Sequence, residues 1–109
     1  MNHHEKFQDK KEWITSKAEY EILKIRLGTR SLLQNMMNHD IQYYREAELK
    51  GIHVSCEEIA FRSKRLDTYE KDLRTIETHD ICHISAKAKF DIEVERKKYE
   101  DRSGAFKDM

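Results

Sequence analysis

One short stretch interrupts an otherwise regular chain. Residues 50–58 read KGIHVSCEE, and on both sides of them apolar residues return at a helical period. Gly51 suits the left-handed position just past a helix C-terminus, with Ile52 able to fold back on the last turn. Ser55 followed three residues later by Glu58 is a capping box, in which each side chain satisfies a free amide at a helix start. Val54 before the cap and Ile59 after it occupy the two positions of a hydrophobic staple. Three local signals therefore agree on a helix ending and another beginning, and so short a link favours antiparallel neighbours.

The apolar pattern fixes how far those helices run. Upstream it visits Phe7, Ile14, Ala18, Ile22, Ile25, Leu32, Met36, Tyr43 and Ala47. Downstream it visits Ile59, Leu66, Leu73, Ile81, Ile84, Ala88, Ile92 and Tyr99. All of these steps are multiples of the 3.6-residue turn. Folding the chain at Gly51 pairs positions whose numbers sum to about 106. Ala47 then meets Ile59, Ile41 meets Leu66, Leu33 meets Leu73, and Phe7 meets Tyr99. Two stripes of one period mirror automatically once in phase, but nothing obliges them to run equally far and stop together. The expected fold is all-α: a long antiparallel helical hairpin, coiled-coil-like, dimerising into a four-helix bundle. Its helices should span about 5–50 and 56–102, with a turn at 51–55 and a frayed tail at 103–109, the whole of 1–109 being one helical domain.

A three-helix bundle is the alternative. Gly28 could end a helix, and Ser31 with Gln34 could cap the next. The stripe keeps its phase through Gly28, which a loop has no reason to preserve, and a mid-helix glycine costs only about 1 kcal/mol. The β-branched run RTIETHDICHIS at 74–85 is the other expected weak point.

Composition limits the function. Charged residues are 39% of the chain and hydrophobic ones 38%, with no proline and a mean hydropathy of −0.94, a profile of long helices with few neighbours. Basic and acidic residues balance at 21 each, so the chain lacks the footprint of a nucleic-acid binder. No stretch approaches the run of about 20 apolar residues that crosses a membrane. The N-terminal residues have no apolar core of a signal peptide, and two cysteines make no disulfide framework, so a cytoplasmic protein is expected.

On a helical wheel, Leu23, Leu27, Met37 and Ile41 form an extra apolar arc beside the seam of the first helix, whereas the second helix shows mainly the seam. Trp13 and Tyr20 lie opposite the seam, and Phe90 should sit near Trp13 across the hairpin. Uncovered apolar arcs and exposed aromatics are features of association surfaces. These seven residues are the expected partner-binding set of a non-enzymatic interaction module: an adaptor, chaperone-like factor, regulator or inhibitor. No cofactor is expected.

Chemistry-bearing patterns are sparse. His79 and His83 share a helical face at metal-ligand spacing, but no third ligand stands opposite, so no metal is expected. Cys56 sits at a helix start, where the dipole favours a thiolate and Glu57 and Glu58 oppose it. Arg74 and His79 bracket RTIETH, an R-x4-H spacing that resembles the catalytic motif of HEPN-type ribonucleases. That resemblance covers six residues and implies metal-independent RNA cleavage, with Arg74 and His79 acting at the scissile phosphate. The hairpin plan is also similar to the WXG100 class of small secreted helical proteins. Here Lys50-Gly51-Ile52 replaces that class's Trp-x-Gly turn, and Tyr99 is followed four places on by Ser103 rather than by an acid.

Overall fold

The computed structural model describes residues 3–103. The expected fray of the tail falls, from residue 104 on, outside the described residues. Two helices account for the fold: α1, His3–Leu49, and α2, Cys56–Ser103. They pack against each other as an all-α hairpin, with no strand among the described residues. The three-helix alternative is excluded, because α1 runs through Gly28 without interruption. Gly28 has open space around its Cα and forces no turn, and the stripe's constant phase outweighs its small propensity cost. The weak point at 74–85 is also helical throughout. Thr75 and Thr78 there donate their hydroxyls to the carbonyls of Lys71 and Arg74, each at 2.9 Å.

The turn is closed by backbone bonds. Ile52 N–H donates to the Ala47 carbonyl at 2.8 Å, and Gly51 N–H to the Glu48 carbonyl at 3.1 Å. With Gly51 at φ +65°, this is the Schellman pattern that satisfies the last free carbonyls of α1. At the start of α2, Glu58 N–H donates to Ser55 Oγ at 3.1 Å. The reciprocal half of the expected capping box does not form. The Glu58 carboxylate turns to Tyr43 and Arg62 instead, where it gains a phenol and a guanidinium rather than a single amide.

The described residues divide into two compact units, 25–78 around the turn and 3–24 with 79–103. In the first, Ile25, Thr29, Leu33 and Met36 of α1 are partly or fully buried, as are Leu66, Leu73 and Glu77 of α2. In the second, Phe7, Ile14, Ala18 and Ile22 are covered, as are Ile84, Ala88 and Ile92, and the Phe7 and Tyr99 rings lie 6.5 Å apart, as the pairing rule expects.

The buried positions repeat every eleven residues. Ile14, Ile25, Met36 and Ala47 trace the repeat on α1, and Arg62, Leu73, Ile84 and Glu95 on α2. Eleven residues in three turns is about 3.67 per turn, nearer a straight helix than the 3.5 of a left-handed coiled coil. This period corrects several expected seam positions. Ile41, Ile59 and Leu32 are all exposed; Asp40, and Glu58 with Arg62, take the seam in place of the first two, while Leu33 lies half-buried where the folding rule pairs it with Leu73 and Ile41 keeps to the exposed arc. It also puts Phe61, Tyr69, Ile76, Phe90 and Val94 of α2 on the surface, so α2 carries far more than a seam. Among the described residues only Phe7 and Ala47 are buried hydrophobics, and no large side chain is fully enclosed.

The two glycines should respond oppositely to alanine. Gly51→Ala forces a Cβ into the left-handed region and should destabilise the fold by about 1–2 kcal/mol. Gly28→Ala removes unfolded-state freedom at an open helical site and should stabilise it by about 0.5–1 kcal/mol. Urea unfolding followed by circular dichroism measures both, and like signs would contradict the assignment of Gly51 to the turn and Gly28 to a helix interior.

Candidate interaction surface

The helical phase of α1 decides what its outer face carries. Residues 23, 27, 37 and 41 lie to one side of the centre of its buried stripe, so much of each side chain projects away from α2. Leu23, Leu27, Met37 and Ile41 are accordingly exposed, as are Trp13, Tyr20 and Phe90, the whole set lying between 41% and 67% accessible. The structure does not gather them into one cluster. Trp13 walls a shallow groove with Lys17 and Glu21 of α1 and Lys87 and Asp91 of α2. Phe90 is not among the walls of that groove, being displaced around α2 from Asp91.

A second groove, in the unit around the turn, was not anticipated. Leu32, Met36 and His39 of α1 face Arg65, Leu66 and Tyr69 of α2 across a cavity of about 410 Å³. Leu32 stands about half a turn around α1 from Ile41, so this groove and the Leu27–Met37–Ile41 arc occupy different faces of the same helix. The sequence held the signal for it in Tyr69 and Leu32, which share the helical period but fall off the centre of the seam.

Above that groove sits a polar cluster that joins the two helices. The Tyr43 hydroxyl donates to Glu58 Oε1 at 2.6 Å. Arg62 donates through Nε to the same oxygen at 3.4 Å and through a terminal nitrogen to Asp40 Oδ1 at 3.3 Å. The Arg62 guanidinium also lies 3.7 Å from the centre of the Tyr43 ring, a stacked cation–π geometry. The phenol's hydrogen bond, with the Arg62 contacts, holds the Glu58 carboxyl below its ordinary pKa. The same hydrogen bond, with burial and the nearby negative charge, raises the Tyr43 phenol above its own.

The chemistry-bearing candidates stay apart. Arg74 pairs with Glu77 at 3.6 Å, and His79 Nδ1 lies 3.5 Å from Asp80. Five residues apart on one helix, Arg74 and His79 project about 140° from each other. His79 is 82% accessible at its side chain. Among the described residues no group of three His, Cys, Asp or Glu side chains converges at metal-binding distance, His79 and His83 included. Cys56 and Cys82 are free, exposed thiols. No helix among the described residues is long and apolar enough to cross a membrane.

Comparison with protein families, characterised proteins and solved structures finds no match. The exposed apolar residues and the Tyr43–Glu58–Arg62–Asp40 cluster are the distinguishing features of the protein's surface.

The cluster makes stability depend on pH at both ends. Glu58 has a folded pKa below its unfolded one, so its contribution is present above the unfolded value and lost as pH falls through the depressed one. Tyr43 has a raised pKa, so its contribution is present below its unfolded value near 10 and lost as pH rises through the raised one. Thermal melts of Tyr43→Phe should lose the alkaline decline and show a shallower acid decline than the parent. Superimposable profiles would mean that the hydrogen bond carries no weight.

Proposed function

We propose that this chain is a non-enzymatic, all-helical protein–protein interaction module that works as a homodimer, regulating or escorting a partner protein in the cytoplasm. The observation that carries this reading is the exposure of Trp13, Tyr20, Leu23, Leu27, Met37, Ile41 and Phe90, all large, apolar or aromatic, and none with a partner within the hairpin large enough to cover it. Residues of these types left accessible are the usual anchors of association, Trp and Tyr above all.

Area supports the same reading. The chain exposes 8829 Å², whereas a globular monomer of 13.2 kDa would expose about 6,400 Å². Charge does not oppose pairing of like chains, since the formal net charge is zero. The free thiols of Cys56 and Cys82 suit a reducing compartment.

Two measurements test this. Light scattering coupled to size-exclusion chromatography should give a dimer mass, and a monomer at every concentration would remove the homodimer. Trp13→Ala combined with Tyr20→Ala should weaken capture of a partner by about tenfold or more, the usual cost of truncating two aromatic anchors. A double variant that retains every partner in a pull-down, with its helical circular-dichroism spectrum intact, would remove the aromatic anchor.

A further inference from the structure

The outer face of α1 carries a second pattern, distinct in period from the buried seam. Tyr20, Leu23, Leu27, Arg30, Gln34, Met37, Ile41 and Tyr44 follow one another by alternating steps of three and four. That is the a/d spacing of a heptad repeat, the 3.5-residue period with which one helix seats another in a coiled coil. The seam towards α2 repeats every eleven residues instead, so the hairpin's own packing does not explain this strip. All of it but Tyr44 is exposed.

The strip is also self-complementary. Position n and position 64 − n carry matching chemistry throughout: Leu27 with Met37, Arg30 with Gln34, Leu23 with Ile41 and Tyr20 with Tyr44. Mirrored spacing follows from any alternating repeat. Mirrored chemistry does not, and here the polar pair lies at the centre, with aliphatic pairs outside it and aromatic residues at both ends. In an antiparallel coiled coil each a residue faces a d residue of its neighbour, and reflection through position 32 makes that exchange at every layer. A two-fold contact demands this property, because one patch has to fit itself.

We infer that a second copy of this chain packs antiparallel along α1, with a two-fold axis beside residue 32, setting Leu27 against Met37 of the other copy and Arg30 against Gln34. This deepens the homodimer reading and rests on it. On the exposed flank over the central turns, Lys24 comes opposite Asn38 of the other copy and Ser31 opposite itself, whereas Asp40 on the other flank is already held by Arg62 of its own hairpin. Like charges meet only at the outer ends, Lys17 with Arg45, where water screens them. The Arg30–Gln34 layer has the role that a single polar layer has in other coiled coils, holding one register and orientation at some cost in strength.

Site-directed disulfides distinguish this pairing from others. In a Cys56→Ser, Cys82→Ser background, Leu27→Cys and Met37→Cys chains are each prepared alone, mixed, and oxidised with glutathione disulfide. Both sites are exposed in the hairpin, so the fold should survive, and circular dichroism checks it. The mixture should give at least about tenfold more cross-linked dimer than either chain alone, since only a–d′ layers bring residues 27 and 37 together. Arg30→Cys with Gln34→Cys should behave in the same way and serves as a second pair. Cross-linking of Leu27→Cys alone as efficiently as the mixture would show a parallel dimer and overturn the proposal. A dimer by light scattering that cross-links at neither pair would place the contact on another face. A dilution-stable monomer that still captures a partner through Trp13 and Tyr20 would overturn the second copy while leaving the interaction module standing.

Discussion

The register between α1 and α2 depends on the link between Leu49 and Cys56, because nothing else in the hairpin is as locally determined. Gly51 in the left-handed region lets two amides return to the carbonyls of Ala47 and Glu48, and Ser55 then starts α2 within a few residues. A link this short allows the second helix only one direction and little longitudinal freedom. The contacts beside it, such as Arg62 under Tyr43, follow from where that turn releases the chain.

What the helices then bury is modest and partly charged. Asp40, Glu58, Arg62 and Glu77 stand at positions where a thicker core would carry aliphatic side chains. Ion pairs so placed contribute little net stability, since desolvation offsets much of their attraction. They do penalise slippage, because sliding α2 by one turn would separate Arg62 from Asp40 and Glu58 from Tyr43, and leave Asp40 half-buried without its cation. The seam thus favours one alignment over its neighbours more than it favours folding over unfolding.

Much of this architecture is legible in the sequence, because helix ends are written in local chemistry. Gly51 and the Ser55–Glu58 pair state the turn without reference to any distant residue, and the constant phase of apolar residues through Gly28 states that α1 does not break there. The exposed set around Leu27 and Met37 follows from the wheel in the same way. The sequence was less informative where a residue's place depends on the other helix. Glu58 reads as a cap, yet its carboxylate is taken by Tyr43 and Arg62, a choice that exists only once α2 lies against α1. Ile41, Ile59 and Leu32 read as seam because hydrophobicity alone favours them over the residues beside them. Asp40, Glu58 with Arg62, and Leu33 hold those positions instead, a choice that depends on the partner helix. The groove between Leu32 and Tyr69 was hidden for the same reason.

Two periods on one rod also cannot stay equidistant. The seam of α1 advances about 98° per residue and the outer strip about 103°, so the angle between them closes by roughly 3–5° with each residue. The strip begins near Tyr20 almost opposite α2 and ends near Tyr44 on its flank. Accessibility falls accordingly, from 66% at Tyr20 to 41% at Ile41. A helix laid along such a strip would touch a bare cylinder at one end and the cleft between two cylinders at the other. In an antiparallel pair the shallow end of each copy would lie over the deep end of its mate, sharing the unevenness equally between them.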